Sequence, residues 1–488
     1  MKIRENWSER GQALILIVGA LVGLLAFTAL AVDGGMVLYD RRSAQNAADA
    51  AALAGAYTLS WNYYTATNQA ALESAVDSAI HTRAHDNHYD TADGKSVAIG
   101  IYNVGGDYSF GAPPASIHTV QADSGDPNYY VQVTITSPVN TSFLHLIYSG
   151  TVENTVTAVA HAVPQPKGPP AGGSALVSLA PTGCATASGS GGGIYIGGNG
   201  LANLIGGGLF INSNSDCALS GASNGYLMYS PNLTDVGGID SSVGSNLIIQ
   251  PGPSSTNDTN AALTYPPVLD MGGTPSCSGD ASLNATDATN MTHTAADGTS
   301  ADYDYIMTPG WVGTGHTVGW AQFPKNKNVW FKPGIYCFNT SNTGGGNINF
   351  SNGEILGGNN VLFYLTGVAP CTFTWNGGAT IKLQGYYPGT EDPHSGILIY
   401  VDPKGYPLVS GSYIQGTFNI NGSLGSFIQG TVFAPTCSAT LNGNGGNMYQ
   451  GQYLAYNITL SGNNTFFLDY NVDLNYQQQQ PVDVDLSQ

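Results

Sequence analysis

The sequence predicts a mainly β protein carried on an N-terminal transmembrane helix. A small α+β module follows the helix, and a Gly/Asn-rich parallel β-helix follows the module. Three observations predict this order. Residues 13–32 form an unbroken apolar run, ALILIVGALVGLLAFTALAV. Residues 61–163 combine one helical stripe with three alternating segments. Residues 174–476 hold short apolar segments between Gly and Asn turns, with near-repeats about 20 residues apart.

The apolar run, at about 1.5 Å per residue, matches the roughly 30 Å hydrocarbon core of a bilayer. A cleaved signal peptide is the rival reading, because Lys2, Arg4 and Arg10 make a basic start and Ala29-Leu30-Ala31 resembles a cleavage site. Signal peptides have apolar regions of about 7–15 residues, whereas helix formers here continue past Asp33. Ala44, Ala47, Ala48, Ala51, Leu53 and Ala54 keep helical spacing, so one helix is expected over 12–60. The basic residues before the span, set against Arg41 and Arg42 after it, favour a single pass with residues 1–11 cytoplasmic and the bulk extracytoplasmic or at the cell surface.

In the module, Leu72, Ala75, Val76, Ala79 and Ile80 make the apolar stripe of a second helix. Strands are expected at 96–102, 129–137 and 151–163, where β-branched residues alternate with polar ones, and a short helix or turn at TSFLHLIYS between the last two. Residues 164–173, PQPKGPPAGG, read as a linker.

From 174 to 476 the motifs Gln415-Gly416-Thr417-Phe418, Gln429-Gly430-Thr431-Val432 and Gln450-Gly451-Gln452-Tyr453 recur at offsets of 14 and 21. Ile420-Asn421-Gly422-Ser423, Leu441-Asn442-Gly443-Asn444 and Leu460-Ser461-Gly462-Asn463 recur at 21 and 19. Such a period points to stacked coils, each of which buries its apolar residues only against its neighbours. A Gly-rich β-sandwich is the alternative. Residues 477–488, QQQQPVDVDLSQ, carry too little apolar content to fold and read as a disordered tail.

Charged residues make up only 9% of the chain and the net charge is −19, with no Arg after Arg83, which argues against nucleic acid as a partner. All six cysteines (Cys184, Cys217, Cys277, Cys337, Cys371 and Cys437) lie in the outer region, and an even number there points to disulfides. Many connectivities are open. The one taken as an expectation pairs Cys184 with Cys217, Cys277 with Cys337 and Cys371 with Cys437.

The segment RGQALILIVGALVGLLAFTALAVDGGMVLYDRRSAQNAADAAALAGA resembles the N-terminal segment of the TadG-like proteins of the Tad (Flp) pilus-assembly system. Its distinguishing residues are Arg10, Gly11, Gln12, Asp33, Gln45, Asn46 and Asp49. The α+β segment is similar to that family's membrane-proximal, pilin-like part. GLFINSNSDCALSG and GTVFAPTCSATLNGNGG resemble the outer regions of some members. The resemblance implies an accessory role in pilus assembly or surface adhesion, with other Tad components as partners, and no catalysis. The Asp-x-Ser-x-Ser motif of members carrying a von Willebrand A domain is missing. A type IV-like pilin needs Glu at the fifth mature position, and after Gly11 that position is Leu16, which argues against processing and filament insertion.

Other constellations are weighed against plainer readings. His81, His85 and His88 have spacings that suit zinc, but also suit a polar helix end. Tyr303, Tyr305, Trp311, Trp320, Phe323, Trp330, Phe331 and Tyr336 either stack on sugars or fill the core. Asp302-Tyr303-Asp304 is a weak calcium motif. A polysaccharide hydrolase or lyase on the β-helix is the functional alternative, with Glu354, Glu391 and Asp392 as candidate carboxylates. Lyase chemistry has only Lys325, Lys327, Lys332, Lys382 and Lys404 to draw on. Gly221-Ala222-Ser223-Asn224-Gly225 matches a nucleophile-elbow pattern but lacks a following helix. The expectation is a non-catalytic protein without cofactor or metal, whose uncharged outer surface contacts a surface glycan or cell-wall polymer; a minor pseudopilin is a further alternative.

Overall fold

The structure is a computed structural model. It describes residues 8–488 apart from 65, 120–126, 145–150, 165–167, 200, 223–225, 230–232, 242, 244–246, 250–255, 258–270, 314, 319–325, 340–347, 351–353, 368–370, 372, 376–377, 390–391, 404–415, 422, 444–447, 463–465, 479–482 and 487–488. The chain forms two units, Met1–Pro166 with Gln479–Gln488, and Lys167–Gln478.

The first unit is built on helix α1 (Ser8–Asn62). Its apolar first half stands exposed, and α1 is long and apolar enough to cross a membrane. Its second half turns an alanine face, Ala44, Ala47, Ala48, Ala51, Ala52 and Ala56, into a core shared with helix α2 (Gln69–Asp86) and the sheet. Small side chains let the helices approach closely. At Gly55 a Cβ would lie 2.7 Å from Ile80 and 3.0 Å from Val131. Asn68 caps α2 by accepting from Ala71 N at 2.9 Å, and Leu72, Val76 and Ile80 of the expected stripe are buried. The sheet runs β1 (Ser96–Val104), β2 (Asn128–Val139), β3 (Val152–Val163), all antiparallel.

A fourth strand completes that sheet. Asp483–Leu486 pairs antiparallel with Ala160 to Val163 of β3. This corrects the disordered reading of the tail for 483–486. Val484 packs against the core, and Asp485 reaches His161 at 3.1 Å, so an edge strand stabilises a segment too poor in apolar residues to fold by itself. The β-helix is thus an insertion between β3 and the terminal strand.

In the second unit, 25 strands join one sheet among the described residues, parallel throughout except at Leu283–Ala285 against Tyr305–Met307. The strands stack in three columns, one per face of a parallel β-helix. The near-repeats are successive coils: Ile420, Leu441 and Leu460 align, as do Asn421, Asn442 and Ser461. Gln429 and Gln450 align likewise. The offset of 14 does not follow the coil, since Thr417–Asn421 and Phe427–Gln429 lie on different faces of one turn.

Coil order along the axis differs from chain order. Leu176–Ser178 pairs with Leu209–Ile211 on one side and with Tyr453 to Ala455 on the other. Gly193–Ile196 and Leu201–Ile205 likewise meet Asn457 to Leu460 and Phe466–Asp469. The first coil therefore sits mid-stack, against the last. The chain winds outward from it to Thr256–Asn257, then resumes at the far end near Leu283 and winds back. Inside lies one apolar core that includes Leu176, Leu209, Tyr453 and Phe363. Outside, Phe210, Val177, Leu454, Phe433, Tyr400, Tyr364 and Cys337 form a second apolar row along one column, covered in part by Met271 and Tyr476.

The latter part of the expected linker 164–173 belongs to this unit. Pro170 is buried, and the fully buried Gln452 side chain donates to Pro170 O at 2.9 Å and Ser174 O at 2.8 Å. A buried amide requires acceptors, which fixes the segment.

Candidate functional site

The densest polar constellation built on the expected motif residues lies where α1 leaves its apolar run and meets the sheet. Asp33 is only 7% exposed. Its carboxylate accepts from three successive backbone N–H groups: Ser142 at 2.7 Å, Phe143 at 3.0 Å and Leu144 at 2.5 Å. Charge-assisted bonds of this kind hold the segment after β2 against α1. Two turns on, Asp40 Oδ1 accepts from Ser137 Oγ at 2.9 Å and Tyr89 Oη at 3.0 Å, and Oδ2 accepts from Asn154 Nδ2 at 2.8 Å. Asn154 also donates to Val37 O at 2.9 Å. Burial, with the hydrogen bond to Asp40, pushes the Tyr89 hydroxyl up to about 12.

Further along α1, Gln45 Nε2 donates to Asp49 Oδ1 at 2.8 Å and to Thr157 O at 3.3 Å. Both side chains line a cleft of about 670 Å³ with Ser116, His118, Gln132 and Leu486. Asn46 is exposed. Arg10, Gly11 and Gln12 lie on α1, but their side chains are outside the described residues. Asp40, Ser137, Tyr89 and Asn154 were missed by the sequence reading. The seven-residue step from Asp33 to Asp40, which puts both on one helix face, was the available signal.

Residues 11–58 match the family model described as putative Flp pilus-assembly TadE/G-like. No curated protein and no solved structure matched the chain. The TadE/G-like segment takes in Asp33, Asp40, Gln45 and Asp49, so the residues that fix α1 to the sheet lie inside the match, while the β-helix lies outside it.

The cysteines pair as Cys184–Cys217, Cys277–Cys337 and Cys371–Cys437. The second clips the segment beside Met271 onto the outer apolar row, where Trp311 Nε1 donates to Cys277 O at 3.3 Å. His81 and His85 serve the end of α2: His81 Nδ1 lies 2.6 Å from Asp90 and His85 Nδ1 3.3 Å from Asp93. Burial raises the Asp90 pKa, but the His81 hydrogen bond and others outweigh it and hold the group below its usual value. Among the described residues no cluster of His, Cys, Asp and Glu suits a metal ion.

Tyr303, Trp330, Phe331 and Tyr336 are buried, and Tyr305 and Trp311 partly so, which makes them packing residues; Trp320 and Phe323 lie outside the described residues. Asp302 and Asp304 are engaged by Thr292 Oγ1 and by Asn328 N. Glu354 is 3% exposed and accepts from Asn326 N, and Asp392 accepts from His394 N at 2.9 Å. Glu391, Lys325, Lys404 and residues 223–225 of the elbow-like pattern lie outside the described residues, as does most of TSFLHLIYS.

Proposed function

We propose that this protein is a membrane-anchored accessory component of Tad-type pilus assembly or surface adhesion, whose N-terminus is cytoplasmic and whose β-helix is displayed outside the cell without catalysing a reaction. The observation that carries the reading is the TadE/G-like match over 11–58, within which Asp33 and Asp40 bind the sheet module to the exposed apolar helix. The mechanism is positioning. The helix retains the chain in the membrane, the module packs on its second half, and the solenoid inserted between β3 and the terminal strand is the part displayed. The paired cysteines fit an oxidising compartment. The scarcity of charge fits a surface that contacts a glycan or wall polymer through amide and backbone groups.

Photo-crosslinking in cells from the exposed Asn46 position tests the reading. Adducts with other pilus-assembly components are expected. Loss of the protein without effect on pili or attachment, together with no such adducts, contradicts it. Detectable glycan cleavage by the purified chain would replace the display role with an enzymatic one.

A further inference from the structure

We propose that the outward face of α1 just beyond the apolar run, together with Phe143, lies in the headgroup layer of an anionic phospholipid bilayer and seats the sheet module directly on the membrane. This rests on the anchor reading above. Leu38 is 62% exposed, Tyr39 75% and Phe143 43%, and Arg41 and Arg42 follow, both exposed. By helical period, Gly35, Leu38, Tyr39 and Arg42 fall opposite Asp33, Asp40 and Ala44, the face occupied by the module. The exposed face is therefore continuous with the apolar span.

Length and composition identify what covers it. Residues 13–32 account for the hydrocarbon core alone. At about 1.5 Å per residue, Tyr39 lies roughly 10 Å beyond Val32, and its side chain leans back toward the N-terminus of α1, into the interfacial layer that flanks the core on that side. Tyr suits that boundary because its ring is apolar and its hydroxyl polar, and Arg extends its stem along apolar surface while its head meets phosphate. Phe143 is held at the same border, since its backbone N–H bonds to Asp33 and so moves with α1. The Asp33 charge is met there by the N–H groups of residues 142–144.

The test uses the full chain in vesicles of phosphatidylcholine, alone or mixed with phosphatidylglycerol, each containing a phospholipid with a photoreactive group near its headgroup. Adduct mapping by mass spectrometry is expected to mark residues 36–42 and Phe143 as well as the ends of the span. Yield at residues 36–42 should rise about twofold or more with phosphatidylglycerol. The Arg41→Gln/Arg42→Gln chain should lose that rise while still floating with the vesicles. Adducts confined to 13–32 overturn the inference and leave the anchor reading intact. Equal yields in the two vesicle types overturn its anionic element. A chain that does not float with either vesicle overturns the anchor reading itself.

Discussion

The backbones of Gly168 and Gln478 exchange a pair of hydrogen bonds, 2.9 Å and 2.8 Å long, so the β-helix unit begins and ends at one point. That clasp lets an entire solenoid occupy the connection between two strands of a small sheet, β3 and Asp483–Leu486. It also follows from the coil order, because the first and last coils are neighbours in the stack.

Replacing Asp33 with Ala removes the acceptor for three N–H groups. Ser142 and Phe143 are exposed and Leu144 half-buried, so water takes up part of the lost bonding and the cost is about 1 kcal/mol. Amide exchange at 142–144 is expected to quicken in the Asp33→Ala chain, with the β-helix unchanged. Asp33→Asn keeps one oxygen and should fall between.

The Cys371–Cys437 bond closes a long loop inside the core. A paired Cys371→Ala/Cys437→Ala change is expected to destabilise the β-helix by about 2–5 kcal/mol, measured by urea unfolding. Its effect should exceed that of any single exposed polar substitution.

A glutamine ladder crosses the coils. Gln384 Nε2 donates to Gln429 Oε1, and Gln429 Nε2 to Gln450 Oε1, each at 2.8 Å. Gln429→Ala interrupts it at its centre and takes one hydrogen bond from each of the half-buried Gln384 and Gln450, at a cost of about 1 kcal/mol. Gln429→Leu should lose the same hydrogen bonds, because the half-buried Gln384 and Gln450 are deprived of the same partner. Urea midpoints for the two variants check this.

The step from Gln429 to Gln450 was legible in advance as an offset of 21, whereas Gln384 was not part of the repeat read from the sequence. Offsets of 21 and 19 in Leu441 and Leu460 are the register itself, because stacked coils place equivalent residues side by side. The alanine face of α1 and the strands of the module were equally visible in their periods. The coil order was not, because nothing local in Leu176 to Ser178 says that its neighbour is Tyr453 to Ala455. The terminal strand was hidden for the same reason: Val484 gains its partners only from β3, far away in sequence. At the site, Asp33 and Asp40 shared a face by spacing, but their partners at 137, 142–144 and 154 come from the sheet.

Stability should depend on pH through Asp235. It is 3% exposed, and burial pushes its carboxyl up to about 6 against the bond from Gly237 N. A raised carboxyl means that the folded state favours the protonated form. The contribution is therefore most favourable below about pH 4, and is lost as pH rises through about 6, by up to about 3 kcal/mol. Urea unfolding at pH 5 and pH 8 should show about half of that fall in the native chain, roughly 1.4 kcal/mol, and a flatter response in Asp235→Asn.

The most direct measurement of the central claim is protease treatment of intact cells, followed by mass spectrometry of the membrane fraction. The account predicts that the apolar run 13–32 stays in the membrane, uncleaved from the rest of its helix by any signal peptidase, while a disulfide-bonded fragment from 174–476 is released outside. A soluble chain, a mature N-terminus at Gln12 or Asp33, or a β-helix protected until the cells are broken would contradict it.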